Sequence, residues 1–203
     1  MFANENKAFT KDQVSKIGNT VIYLANRIPE LNKTKILKLL FIIEEAAIKK
    51  TGKHFFGIDF QLWKYGPVAK DIYIDLTTSI WDESPILLNE FIQRNPNAPE
   101  NYIAKSDFND DEFSDNDLML LDRVVEFAKD KTAKYLVQHT HGTNSLWRKS
   151  AIKYGVLELL ENELLNSTEF NVDFSLLFDE KSPLSERYEE SKENLDFIRQ
   201  LKH

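Results

Sequence analysis

The chain has no cysteine among its 203 residues. Disulfides, thiolate zinc sites and thiol nucleophiles are excluded together, and the composition suits a reducing compartment. Long apolar runs are missing as well, since none approaches the roughly 20 residues of a membrane span. Met1 to Thr10 lacks the basic-then-apolar layout of a signal peptide. The expectation is a soluble, cytoplasmic protein. Positive charge is scarce: 26 Lys and Arg face 33 Asp and Glu, for a formal charge of −7 and a pI near 5.2. Such a surface repels phosphate and disfavours general nucleic-acid binding, although a local basic patch remains compatible with it.

The signatures of common active sites are absent too. No serine sits in a Gly-x-Ser-x-Gly elbow. Thr51-Gly52-Lys53 lacks the first glycine and the closing Lys-Ser/Thr of a phosphate loop. The acidic run Asp107, Asp110, Asp111, Glu112, Asp115 and Asp117 has no glycine for a calcium-loop turn. It reads as a solvated loop entering a helix, with Ser114 and Asp117 approximating a capping box. His139 and His141 are two residues apart, a spacing that shares a metal only from a strand or loop and needs a third ligand from elsewhere. Glu44 and Glu45 read better as the polar edge of a helix than as a buried acid pair. No catalytic residue, metal or cofactor is expected.

What is present is a strong central pattern. From Asn32 or Thr34 to Gly52, the run Ile36, Leu37, Leu39 to Ile43 leaves almost no polar face, which predicts a helix surrounded by protein. Phe56, Ile58, Phe60 and Leu62 then alternate with polar neighbours and Trp63, as in a half-buried strand. Gly66-Pro67 is expected to stop that strand and open a helix carrying Val68, Ile72, Leu76 and Ile80. Further helices are predicted over Lys11–Arg27 with Thr10 as cap, Pro85–Gln93, Asp115–Lys131, Thr132–Gln138 and 148–166, the last interrupted at Gly155. Asn95–Asn101 reads as a loop, and Tyr102–Lys105 as a short strand partnering the one near Ile58–Lys64. A highly charged helix over Ser185–Lys202 closes the chain. Either it folds against a partner or it packs on its own domain. Trp63, Tyr65 and Trp147 are equally open between core and interface.

Several of these segments together resemble the Panacea domain, the antitoxin module also seen in SocA-like and phage-associated GepA-like proteins. Lys38-Leu-Leu-Phe41 resembles its Lys-Leu-Leu-Tyr/Phe helix, and Thr51-Gly52-Lys53 its Thr-Gly-Lys/Arg turn. Phe60-Gln-Leu-Trp-Lys-Tyr-Gly-Pro-Val68 with Ile72-Tyr73 resembles its most specific block. Leu136-Val-Gln-His-Thr-His141 and Leu146-Trp147 resemble its Thr-His and Pro-Trp pieces, with Leu146 where proline is common. The resemblance implies a mainly helical protein; joined to the pattern above, the expectation is a mainly α domain over residues 1–155 with a small two-stranded β element around 56–64 and 102–105, and a C-terminal helical extension over 156–203 that the resemblance does not cover. It implies a non-catalytic protein-binding module that neutralises a cognate toxin encoded nearby, and delivery of a partner to a Clp-type protease in some members. The family-specific residues it marks are Trp63, Lys64, Tyr65, Gly66, Pro67, Tyr73, His141 and Trp147. Two alternatives carry less weight. A winged-helix-like DNA-binding regulator would use Lys33, Lys35 and Lys38. A metal-dependent enzyme would gather Glu44, His139 and His141.

Overall fold

The computed structural model describes residues 9–78, 87–179 and 182–200. Helix α1 (Lys11–Ala25) starts at the expected cap: Thr10 accepts from the Gln13 amide, and the Gln13 side chain returns the bond. Helix α2 (Lys33–Thr51) is capped by Asn32 and ends at Gly52, which takes the left-handed conformation at φ 71°. Its middle is buried on every side, Ile36 to Ile43 included. Helices from later in the chain pack against it.

The chain then departs from the expected long strand. Only Gln61–Trp63 forms strand β1. The approach to it, Phe55 to Gly57, sends its three amides to the Glu44 carboxylate at 3.1, 2.7 and 3.3 Å, which removes them from any ladder. Gly66-Pro67 does not open a helix. It lies in strand β2 (Gly66–Val68), which folds straight back on β1, and helix α3 (Lys70–Thr78) follows. Pro67 is tolerated because β2 is an edge strand of its sheet.

Strands β3 (Ile92–Asn95) and β4 (Ala98–Ala104) form a separate hairpin turning at Pro96-Asn97. The expected partnership between the strands near 56–64 and 102–105 is therefore corrected: Tyr102 pairs with Arg94. The predicted helix at Pro85–Gln93 lies partly outside the described residues, and its described part is a turn followed by β3. Helices α4 (Asp115–Ala128), α5 (Ala133–His141), α6 (Leu146–Lys153) and α7 (Leu157–Glu161) come next, with Ser114, Thr132 and Ser145 capping the first three. Ser114 and Asp117 complete a capping box. Gly155, at φ 68°, makes the break between α6 and α7.

Strand β5 (Ser167–Asn171) returns to pair antiparallel with β1. A single 3₁₀ turn (Phe174–Leu177) leads to helix α8 (Pro183–Gln200). Tyr188 is buried, and backbone at Leu184 crosses over Gly52, so α8 packs on α2 of its own chain. Among the described residues, no helix is long and apolar enough to cross a membrane. The architecture is mainly α with small β elements, as expected.

Candidate partner-binding site

The Trp63–Val68 block is a tight hairpin clamped from behind. Leu62 faces Pro67 and Trp63 faces Gly66, leaving Lys64 and Tyr65 as the turn. Gly66 has φ 99°, and a Cβ there would meet Lys38 Nζ at 2.9 Å and Thr140 Oγ1 at 3.3 Å. Backbone conformation and lack of space both demand glycine.

Three side chains hold three successive parts of the hairpin backbone. Trp147, fully buried at the start of α6, donates its indole N–H to the Trp63 carbonyl at 3.0 Å. His141, in the last turn of α5, lies against the Trp147 ring with centroids 4.0 Å apart and hydrogen-bonds the Lys64 carbonyl. Lys38, from the middle of α2, donates to the Pro67 carbonyl at 2.9 Å. Burial pulls the His141 pKa below its ordinary value, and Lys38 and Arg148 act in the same direction against Glu161 and the Lys64 carbonyl. The site thus favours the neutral imidazole. Lys38 is only 3% exposed, and burial pushes its pKa down to about 7.

The clamp leaves one large side chain outside. Tyr65 at the hairpin tip is 64% exposed. Lys64 lies 4.8 Å from the Tyr65 ring and pairs with Glu163 at 2.9 Å, joining the tip to the turn before β5. There Leu164, 69% exposed, and Leu165 also face outward. Toward the other end of β5, exposed Phe170 stacks on exposed Tyr154 with ring centroids 5.0 Å apart. Apolar side chains thus flank both ends of this strand, a cluster of the kind that marks interaction surfaces. Trp63 and Tyr73, by contrast, are half-buried against the core. They meet edge-on at 4.8 Å, Lys33 lies 4.4 Å from the Tyr73 ring, and Trp63 Nε1–H donates to Gln61.

The profile of the family described as antitoxin SocA-like, Panacea domain, matches residues 36–148, more than half of the chain. The chain belongs to this family. No curated protein and no solved structure gives a significant match.

The matched span of the Panacea domain runs from Ile36 in α2 to Arg148 in α6, and contains the whole clamp. Of the family-specific residues marked in the sequence, Gly66, Pro67, His141 and Trp147 converge on the hairpin backbone. Trp63 and Tyr73 pack edge-on against each other, and Lys64 and Tyr65 form the hairpin tip. Two alternative constellations are not assembled. Lys35 is buried and donates to the Pro29 carbonyl at 2.8 Å, and Lys38 is buried under the hairpin, so the proposed DNA-reading cluster faces inward. His139 and His141 lie two apart on a helix and diverge: His139 goes to Phe127 and Tyr135, His141 to Trp147. Glu44 is not a polar edge. It is fully buried and bonds the His54 ring at 2.6 Å as well as the three amides. Sequence reading missed Lys38 and Thr140 as parts of the clamp. The available signal was a lysine in the middle of an all-apolar helix, where a charge needs a specific partner.

Proposed function

We propose that this Panacea-domain protein neutralises a cognate toxin, encoded beside it, by direct protein–protein contact in the cytoplasm. The tip Lys64-Tyr65 and the apolar residues flanking β5 are the contact surface in this reading. The observation that carries it is the contrast within one short block. Every other aromatic of the hairpin and its clamp is at least partly buried, whereas Tyr65 is 64% exposed beside Leu164 at 69%. Aromatic anchors flanked by apolar neighbours supply the energy of most protein interfaces. Binding rather than catalysis is the activity, and the charge of −7 favours encounter with a basic toxin that acts on nucleic acid or ribosomes. The bound toxin can then be handed to a Clp-type protease.

The test is a pull-down from the native host with the full chain as bait, followed by growth assays. A single stoichiometric small protein that arrests growth alone, and is relieved by this chain but not by Tyr65→Ala or Leu164→Ser, is the expected result. A protease recovered with it supports delivery as well. Full rescue by both variants would move the contact elsewhere, and association rates unchanged across a salt series would remove the role of charge.

A further inference from the structure

We propose that the groove between α2 and α4 is a second docking site, built for an acidic amphipathic helix of a partner protein. This goes beyond the toxin contact, and it uses neither the hairpin nor β5. The groove has a volume of about 480 Å³. Its floor is apolar: Ile42 and Ala46, one turn apart on α2, run beside Leu120 and Val124, one turn apart on α4, and Phe127 closes the end. Its rim is cationic. Lys49 and Lys50 stand at the α2 side and Arg123 at the α4 side, while the His139 ring packs on Phe127.

This rim is out of character with a chain of net charge −7. Acids close to it are already engaged. Asp122 accepts from the Tyr23 hydroxyl, Glu126 pairs with Lys129, and Glu45 lies between Lys49 and Lys149 in its charge interactions. Among the described residues, Lys50 and Arg123 enter no salt bridge or hydrogen bond. Charge complementarity therefore names the occupant's sign.

The shape names its form. Two neighbouring helices with apolar residues at i and i+4 present a furrow that accepts the ridge of a third helix. A strand would gain nothing here, because helix sides offer no free backbone groups for a ladder. Duplex nucleic acid would cover the apolar floor with phosphate and sugar. Leu120 to Phe127 spans about 10 Å, at about 1.5 Å per residue, so the occupant needs at least two turns with an apolar stripe and flanking Asp or Glu.

The experiment uses the full chain and two synthetic helical peptides of about 16 residues, long enough to hold a helix. Both carry the same leucine stripe, one flanked by glutamates and the other by lysines. Fluorescence anisotropy at near-physiological salt should show the glutamate peptide binding about tenfold tighter or more, and the double variant Lys50→Glu/Arg123→Glu should reverse the order. Both replaced side chains are exposed, so circular dichroism should stay unchanged. Equal binding of the two peptides, binding of neither, or insensitivity to the double variant would overturn the proposal. So would duplex DNA or a phosphatidylglycerol vesicle that binds with the same dependence on Lys50 and Arg123. Loss of toxin binding with groove binding intact, or the reverse, separates this site from the hairpin contact.

Discussion

Replacing Lys38 with methionine should make the protein more stable at pH 6 and remove a pH dependence that the wild type carries. Lys38 is buried under the hairpin, and its pKa falls from 10.5 to about 7 because the charged form is desolvated. At about 1.36 kcal/mol for each tenfold step in proton affinity, an ammonium there costs roughly 5 kcal/mol more than an exposed one. Below pH 7 both folded and unfolded chains are protonated, and the full cost is present. Between pH 7 and 10.5 the folded chain has released the proton while the unfolded chain still binds it, so stability rises with pH. Methionine fills a similar volume without charge, but leaves the Pro67 carbonyl without its donor, at about 1–3 kcal/mol. The variant should therefore exceed the wild type by roughly 2–4 kcal/mol at pH 6. The gap should shrink by roughly 3 kcal/mol by pH 9.5, where the two are about equal or the wild type leads. Urea unfolding followed by tryptophan fluorescence, with both proteins measured from pH 6 to 9.5, reads this difference directly, since the other titrating groups are shared. A difference that stays constant across that range would refute the reasoning, because it would mean Lys38 keeps an ordinary pKa.

Three further outcomes follow from the same geometry. Glu44→Ala orphans the amides of Phe55, Phe56 and Gly57 and should cost about 3–5 kcal/mol, a melting point roughly 10 °C lower; a loss under 1 kcal/mol would show that these amides find other acceptors. Gly66→Val puts a Cβ 2.9 Å from Lys38 Nζ at φ 99° and should lower stability by about 2–4 kcal/mol, whereas intact stability with lost binding would move Gly66 to the interface. Tyr65→Ala removes a side chain that is 64% exposed, and should change stability by less than about 0.5 kcal/mol while weakening toxin capture; a large drop in melting temperature would make Tyr65 structural.

Elements governed by local chemistry were legible in the sequence. Caps at Thr10, Asn32, Ser114 and Thr132 and the left-handed stop at Gly52 act through neighbours within four residues, and they fall where the sequence places them. Elements governed by distant partners were not. The alternation from Phe56 to Leu62 is a true burial pattern, yet Glu44 takes the amides that a strand would use. Nothing local in Ser-Thr-Glu-Phe-Asn announces that it will pair with Gln61–Trp63, and its residues are mostly exposed, so the β5 partnership was invisible. In the site, the resemblance found the residues but not their division of labour. Which of them face inward depends on where α5 and α6 deliver His141 and Trp147, a tertiary matter.

The pairing of Trp63 with Ser167 also has a consequence in time. A ribosome emits the hairpin long before it emits the strand that completes its sheet, with about a hundred residues between them, and contacts so far apart in the chain form late. The Lys64-Tyr65 tip is tied down through Glu163 and the Asn166 carbonyl, both of which lie far downstream in the chain. Until β5 arrives, β1 is paired on one side only, by β2. A partner that binds the tied-down tip would thus select chains in which β5 has already joined β1.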